Sequence, residues 1–142
     1  MRAAAYRPMT VHRVAAAIGA EGQGLAWQHR IVAQTFMRNK YLNFFQGKID
    51  PTIVGGASDM PYAIPHLQVE QRIPEDNPVD VLWFRSVEHT HTAFATETVI
   101  DELAAAAGKD PYAFRRELLT APEAARYRGV LDLVARAAGW DH

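Results

Sequence analysis

The chain has 142 residues, which suits one ordinary globular domain and cannot easily hold separate catalytic and cofactor domains. Its net charge of -1 implies no basic face, which argues against nucleic acid as a partner. The absence of cysteine excludes disulfides, Cys-ligated zinc and iron–sulfur clusters on this chain. No stretch approaches the roughly 18 apolar residues that span a bilayer, and residues 1–8 lack the hydrophobic core of a signal peptide. These features leave the compartment open.

The two halves of the chain differ in composition. Up to about residue 85 the sequence is rich in Val, Ile, aromatic residues, Gly and Pro, and from about residue 93 it is rich in Ala, Leu, Glu and Arg. This change predicts an α+β fold, with N-terminal strands and a long loop followed by three C-terminal helices. We expect residues 1–142 to form a single domain.

A hairpin is predicted near the start of the chain. A Gly-rich turn signal at residues 19–24 separates two apolar segments, 11–18 and 25–36. The second segment is predicted to be a strand up to about residue 32. A helix over residues 28–40 is the alternative.

A long loop and two shorter strands are predicted next. Residues 43–65 contain six Gly or Pro residues and are expected to form a loop of a length that is often functional. Residues 67–73 alternate apolar and polar side chains, which predicts a half-buried strand. After a loop at 74–78, residues 79–84 are predicted to form a short apolar strand.

The first C-terminal helix is predicted over residues 93–107, which are rich in alanine. Phe94, Ile100, Leu103 and Ala107 are expected to share its inner face. Gly108 suits the left-handed residue that commonly follows a helix. The small side chains also allow close approach of a partner helix or of the rest of the domain.

The second and third C-terminal helices are predicted from their caps. Asp110 suits an N-cap and Pro111 the first helical position of the second helix. A Thr-x-x-Glu sequence at residues 120–123 predicts a capping box for the third helix, which is expected to end at Gly139. The inner face of the second helix carries two apolar side chains four residues apart: Phe114 and Leu118.

Residues 83–97 join a predicted strand to the first C-terminal helix and form a candidate anion site. Such a junction leaves free backbone N–H groups at the positive end of the helix dipole, where phosphate or an anionic oxo group is stabilised. Arg85 adds a planar fork of donors that suits phosphate or pterin chemistry. The alternative is a structural Arg85 that pairs with Glu97 or Asp101.

His89 and His91 form a His-x-His pair, a spacing that can ligate a metal ion from a strand. The chain contains no cysteine, and no third ligand is spaced nearby. We therefore expect a hydrogen-bonding pair that supports the start of the helix, rather than a metal site.

Several other conspicuous residues have structural interpretations. Gly55–Gly56 lacks the Gly-Lys-Ser/Thr ending of a phosphate loop and predicts a tight turn. The carboxylates Glu97, Asp101 and Glu102 are expected on a solvated or interface-facing side of the helix. The three tryptophans are expected in the core or at an interface: Trp27, Trp83 and Trp140.

The segment that follows residue 84 is similar to the molybdenum-binding subunit of the xanthine dehydrogenase and aldehyde oxidase superfamily. It most resembles the isoquinoline 1-oxidoreductase beta-subunit branch, which includes aldehyde dehydrogenase molybdenum-binding subunits and typically shows Arg-Ser-Val-Gly-His-Ser-His-Asn-Ala-Phe. The matching positions are 85–87, His89, His91, 93–94, Glu97, 100–104, 107–111 and 114–115. Further stretches that resemble the branch, in order along the chain, are 6–8, 11–14, 26–32 and 55–65.

The resemblance implies a cofactor, molybdopterin cytosine dinucleotide with molybdenum, that is bound by the full-length protein and is not expected to be retained by this segment alone. It assigns the cofactor contacts to the turn residues Arg85, Ser86, Val87, Glu88 and His89. It also implies hydroxylation of an aldehyde or an N-heterocycle (an azaarene), with water as the oxygen source and electrons passing to a [2Fe–2S] small subunit.

The resemblance also identifies what this chain lacks. The catalytic general-base glutamate of the family lies in a later motif that is absent here, so no catalytic residue is assigned. The chain is therefore expected to be an internal segment whose main partner is the remainder of a parent subunit. The alternative is a small non-catalytic structural or interaction module.

Glu88 departs from the branch, which usually has glycine at this position. Glycine would let the backbone approach the cofactor closely. A glutamate adds bulk and negative charge beside a dianionic phosphate or an oxo-metal centre. The contact at Glu88 is therefore the weakest of the five that the resemblance implies.

Overall fold

The computed structural model describes residues 6–37, 48–75 and 79–140 and confirms the α+β class. Strands come first and helices predominate in the second half. None of the helices within these ranges is long and apolar enough to cross a bilayer. The elements in chain order are β1 (Thr10–Ile18), β2 (Gly24–Ala33), α1 (Pro51–Val54), β3 (His66–Arg72), α2 (His89–Ala106), α3 (Pro111–Leu118) and α4 (Ala125–Ala138).

The three strands form one sheet in the order β1-β2-β3. The predicted hairpin of β1 and β2 is confirmed, and its turn contains Gly22 with a positive φ of 72°. The helix proposed as the alternative for residues 28–40 is wrong for 28–33, and residues 38–40 lie outside the described ranges. Regular alternation of buried and exposed residues along β2 favours the strand, because a strand directs successive side chains to opposite faces.

The β2–β3 pair is parallel. The side chain of Gln28 donates to Gln68 over 3.3 Å, and Arg30 donates to Glu70 over 2.8 Å. Both partners advance by two residues together, which is the register of a parallel pair. Parallel strands need a crossover connection, and residues 34–65 provide it.

The chain divides into two compact units. Unit 1 comprises the described residues within Met1–Ala15, Gln28–Asp59 and Gln68–Thr96. Unit 2 comprises those within Ala16–Trp27, Met60–Leu67 and Glu97–His142. The core of unit 1 is built from the buried apolar side chains of β2, α1 and the turn after α1, with two partly buried residues of the β3 segment against them: Ile31, Ala33, Ile53, Val54, Ala57, Val69 and Ile73.

The short helix α1 corrects the prediction that residues 43–65 form a loop throughout, although 43–47 lie outside the described ranges. Asp50 is the N-cap of α1 and accepts from the Thr52 amide over 2.9 Å, and Pro51 occupies the first helical position. Buried Asp50 also accepts from the Thr35 hydroxyl, and its own N–H donates to the Gln71 side chain over 3.0 Å. This carboxylate ties α1 to the segment after β2 and to β3.

The strand predicted over residues 79–84 is wrong. In the described chain this segment forms a single parallel bridge, between Tyr6 and Val81. Tyr6 donates to the Asp80 carbonyl over 3.1 Å and accepts from the Leu82 N–H over 3.0 Å. The next donor of this ladder after Tyr6 would be Pro8, which has no N–H, so the pairing does not continue in that direction.

Unit 2 contains α3, α4 and the C-terminal part of α2, and it confirms the caps predicted at Gly108, Asp110 and Gly139. Asp110 accepts from the Ala113 N–H over 2.9 Å at the start of α3. Gly108 and Gly139 both have a φ of 64°, the left-handed conformation that follows a helix. The two residues predicted to face inward from α3 are buried: Phe114 and Leu118.

Two details of the helical half differ from the prediction. Phe94, assigned to the inner face of α2, is 77% exposed, whereas Ile100 is 0% exposed. These two residues are six positions apart, which at 3.6 residues per turn separates them by about 120° around the helix. The capping box is also wrong, because a 3-10 turn, Pro122–Ala124, takes Ala121 as its N-cap, which shifts the Thr-x-x-Glu spacing by one residue.

Charged side chains of unit 2 pair with one another. The Arg115 guanidinium donates to Glu97 over 3.0 Å and to Asp101 over 2.5 Å. The Tyr62 hydroxyl also donates to Glu97, and burial, followed by this carboxylate, raises the Tyr62 pKa. Asp132 of α4 accepts from two residues of α3, Tyr112 and Arg116. Arg115 therefore holds the two carboxylates that the alternative interpretation assigned to Arg85.

The contrast between Ile100 and Phe94 can be measured. Replacing fully buried Ile100 by Ala removes core contacts and leaves a cavity, so we expect the free energy of unfolding to fall by about 2–5 kcal/mol. Phe94→Ala, on the same helix, should change it by less than about 0.5 kcal/mol. Urea denaturation of both variants tests this assignment, and equal losses would contradict it.

Candidate functional site

The turn of residues 85–88 connects the Val81 bridge segment to α2. Its backbone is strained, because Ser86 has a φ of 70° and the β-branched Val87 a φ of 49°. Hydrogen bonds close the turn: the Val87 N–H donates to Phe84 O and the His89 N–H donates to Ser86 O, both over 2.9 Å. The Thr90 hydroxyl donates to Arg85 O. Strain of this kind is concentrated at functional sites.

The turn presents unused hydrogen-bond donors. α2 begins at His89, four residues earlier than the predicted helix, so its positive end lies directly at the turn. Among the residues that the structure describes, the backbone N–H groups of Arg85, Ser86 and Glu88 donate to no partner. The Arg85 side chain is exposed and, in the same ranges, forms no ion pair. Three free N–H groups beside an unpaired guanidinium form an arrangement that suits an anion.

The Gly55–Gly56 turn packs against the first turn of α2. The buried Thr92 hydroxyl donates to Gly55 O over 2.9 Å and lies 3.0 Å from Glu88 O. Gly56 has a φ of 79°, and a Cβ on this residue would lie only 2.6 Å from His89 Nδ1. The predicted tight turn is thus confirmed, and its second role is to allow this close approach.

Glu88, which replaces the glycine of the similar branch, packs over Gly55. A Cβ at residue 55 would lie 2.6 Å from Glu88 Cγ, so a larger residue here would require the Glu88 side chain to move. The carboxylate also lies 3.6 Å from His89 Nε2. The bulk of the glutamate is therefore accommodated against Gly55.

A small cavity of about 20 Å³ adjoins the turn. This volume holds about one water molecule or one oxygen atom of a larger ligand. Aromatic and aliphatic side chains form part of its wall, and a cation and a histidine add polar groups. Its lining includes Arg7, Phe36, Trp83, Val87, Thr90 and His91. Trp83 is 56% exposed and meets Phe36 edge-on, with the ring centroids 5.5 Å apart.

Three histidines form a hydrogen-bonded chain in unit 1. His12 Nδ1 lies 2.8 Å from His29 Nε2, and His12 Nε2 lies 3.1 Å from His91 Nδ1. Burial lowers the pKa of all three; it is the main cause of the low pKa of about 4 of His29 and of His91, with the neighbouring histidines next. The imidazoles are therefore neutral at pH 7.

Sequence reasoning missed this histidine chain. His12 and His29 belong to the two strands of the predicted hairpin, and their facing positions could have been found from its register. The described residues contain no group of three or more His, Cys, Asp or Glu that could hold a metal ion. The expected hydrogen-bonding role is confirmed for His91, with His12 as its partner.

The cofactor contacts assigned to residues 85–89 lie together in one turn, on the positive end of an 18-residue helix. A family model for the molybdopterin cofactor-binding domain matches residues 1–119, and the chain belongs to this family. The residues at the turn fit a ligand that carries phosphate and oxo groups, because the free donors and the guanidinium point to an anion.

Two known proteins define the similarity further. The isoquinoline 1-oxidoreductase subunit beta of Brevundimonas diminuta is 28% identical over 140 residues, which cover 95% of this chain and 17% of that protein. The crystal structure of quinoline 2-oxidoreductase from Pseudomonas putida 86 has the same fold over 96% of this chain and 19% of its own, with a TM-score of 0.72 and 17% identity. This chain thus spans less than a fifth of either relative.

Acid should destabilise unit 1 through the histidine chain. The pKa of His29 and His91 is about 4 in the folded chain and 6.5 without the fold, so the unfolded chain binds more protons below pH 6.5. We expect the free energy of unfolding to fall as the pH is lowered from 6.5 towards 4. Chemical denaturation across this interval measures it. His91→Gln should reduce the dependence of the free energy of unfolding on pH, whereas His66→Gln, at an exposed position of β3, should leave this dependence unchanged. An unchanged dependence in His91→Gln would show that the histidine chain is not its cause.

The packing of Glu88 on Gly55 predicts a coupled pair of substitutions. Gly55→Ala should destabilise the chain by about 1 kcal/mol or more, because the new methyl group overlaps Glu88 Cγ. In a Glu88→Gly background the same change should be tolerated. Urea denaturation of the two single variants and the double variant gives the interaction energy, and additive effects would show that the contact is absent.

Proposed function

We propose that this chain is the part of a molybdenum hydroxylase subunit that helps to bind the molybdopterin cofactor for oxidation of an aldehyde or an N-heterocycle, and that it is not catalytically complete alone. The observation that carries the proposal is the strained turn at Ser86–Val87, with three unused N–H donors and the free Arg85 guanidinium. Membership of the molybdopterin cofactor-binding family supports it.

In this proposal the residues of the turn bind the cofactor and fix its orientation. Arg85 donates a planar pair of N–H groups to an anionic oxygen, and the backbone N–H groups of Ser86 and Glu88 donate from the helix end. When bound, the molybdenum cofactor supplies the oxidation, with water as the oxygen source. The strained backbone conformation of Ser86 and Val87 is present before the ligand binds, so the donors are already in position. Binding then costs less conformational entropy.

The finer identity of the cofactor and substrate also belongs to the proposal. We infer the cytosine dinucleotide form of molybdopterin from the resemblance to the isoquinoline branch. The names of the two relatives contain isoquinoline and quinoline, which favours an N-heterocyclic substrate over an aldehyde. The resemblance to the isoquinoline branch also supports a [2Fe–2S] small subunit that would accept the electrons.

An apolar groove on unit 2 supports the remainder of a parent subunit as a partner. Its volume is about 400 Å³, and it lies between α3 and α4. Two apolar side chains that line it are more than half exposed: Val134 of α4 and Trp140, which follows α4. The same surface would serve the alternative, a non-catalytic interaction module. The open reading frame around this sequence distinguishes a segment of a hydroxylase subunit from an interaction module. A longer frame that contains the catalytic glutamate motif would favour the hydroxylase subunit.

The role of Arg85 can be tested in the full subunit. Arg85→Ala removes the charged fork, and a hydrogen bond to a charged group contributes about 1.5–3 kcal/mol, so we expect roughly 10- to 100-fold weaker cofactor retention. Molybdenum analysis and pterin release from the purified subunit measure it.

Arg126→Ala, at an exposed position of α4, is the matched control and should keep the cofactor. Unchanged molybdenum and pterin in Arg85→Ala would contradict the assigned contact. Absence of molybdenum from a correctly matured wild-type subunit would contradict the proposed function as a whole.

A further inference from the structure

The histidine chain ends at the cavity beside the turn. His91 lines this cavity together with Arg7 and Val87. Its Nδ1 is engaged by His12, and its Nε2 has no partner among the described residues and is not a fully buried atom. One nitrogen of His91 is therefore held by the fold while the other is available to a ligand.

The three imidazoles are coupled through their tautomers. A neutral imidazole has one N–H donor and one acceptor nitrogen. If His29 Nε2–H donates to His12 Nδ1, then His12 carries its proton on Nε2 and donates it to His91 Nδ1. His91 is then left with its proton on Nε2, the nitrogen that has no partner among the described residues. The reverse direction would make all three rings carry the proton on Nδ1, the less favoured form of a free imidazole.

We propose that His12 and His29 are positioning residues that hold His91 as a hydrogen-bond donor to an anionic oxygen of the ligand bound at the Ser86–Val87 turn. The identity of that ligand rests on the proposed function. The hydrogen-bond geometry of the three rings does not, because it is a property of unit 1 alone.

The surroundings of His91 favour an anionic oxygen over other ligand atoms. The cavity of about 20 Å³ admits one oxygen atom and little more. Arg7 lines the same cavity and provides a positive charge. Of the neighbouring groups with the largest charge effects on His91, Arg7 is a permanent cation. A hydrogen-bond donor beside this cation favours an acceptor that carries negative charge.

The tautomers can be observed directly. In the purified chain, labelled with nitrogen-15 at histidine, long-range proton–nitrogen NMR distinguishes Nδ1–H from Nε2–H. We expect the Nε2–H tautomer at His12, His29 and His91 at pH 7. A different tautomer at any of the three, or a charged ring, would overturn the proposed direction of donation.

Variants of His12 separate positioning from mere filling of space. His12→Phe keeps a ring but has no hydrogen bond to give, so His91 should change from one tautomer to a mixture of two. His12→Gln has an amide that can accept from His29 at oxygen and donate to His91 at nitrogen, and it should restore the single tautomer. His66→Phe, at an exposed position, is the control. A single His91 tautomer in folded His12→Phe would overturn the positioning role.

Oxyanion titrations test the ligand. Inorganic phosphate and molybdate present the same anionic oxygen from two sources, so each is added separately at constant ionic strength. We expect a shift of the His91 Nε2 resonance that is lost in His12→Phe, and a response to one oxyanion alone identifies the source. No response to either would overturn the ligand assignment. Molybdenum content of the full subunit reports independently on the proposed function, so the two can fail separately.

Discussion

The candidate site depends on close packing of the Gly55–Gly56 turn against the first turn of α2. Thr92 is completely buried there and donates to Gly55 O, while Glu88 lies over the same glycine. Glycine suits both positions of this turn, because side chains of Glu88, His89 and Thr92 lie close to where a Cβ atom would be. With the helix start held in this way, the strained turn at Ser86–Val87 has a fixed position next to the first turn of α2.

Buried polar groups reinforce the same region of unit 1. Asp50 caps α1 and accepts from Thr35, Thr92 bridges α2 to Gly55, and His29 begins the histidine chain. Such deeply buried polar groups fix the relative positions of the segments that they join. Each is shielded from water and therefore needs a hydrogen-bond partner in the protein with suitable geometry. Unit 1 therefore combines an apolar core of β2, α1 and β3 with buried polar side chains that have defined partners.

The sequence predicted elements where local signals are strong and failed where distant residues decide. The start of α3 is predicted from the Asp-Pro pair at residues 110–111, because this signal depends only on neighbouring residues. The same pair at residues 50–51 starts α1, but a helix of four residues has no periodicity from which to predict it. The strand at 79–84 failed because Pro8, more than 70 residues away, ends its pairing. The histidine chain joins residues 79 positions apart, which no local pattern shows.

The turn that the resemblance assigns to the cofactor has donors that suit an anion, which is a physical reason added by the structure. The free donors at Arg85, Ser86 and Glu88 follow from positive φ values, which composition and periodicity do not indicate. The placement of Glu88 likewise depends on Gly55, a residue from a different part of the chain. Whether the five residues contact the cofactor remains a prediction of the family resemblance.

The parallel pairing of β2 with β3 has a consequence for the order in which the chain folds. Hairpin partners such as His12 and His29 are 17 residues apart, whereas Gln28 and Gln68 are 40 apart. The hairpin closes a short loop and can form early, but β3 can add only after the crossover segment brings it back to β2. Until then the β2 edge is unpaired, and an unpaired strand edge can pair with another chain. The slow step of folding and the period of greatest exposure to aggregation therefore coincide at this one strand pair.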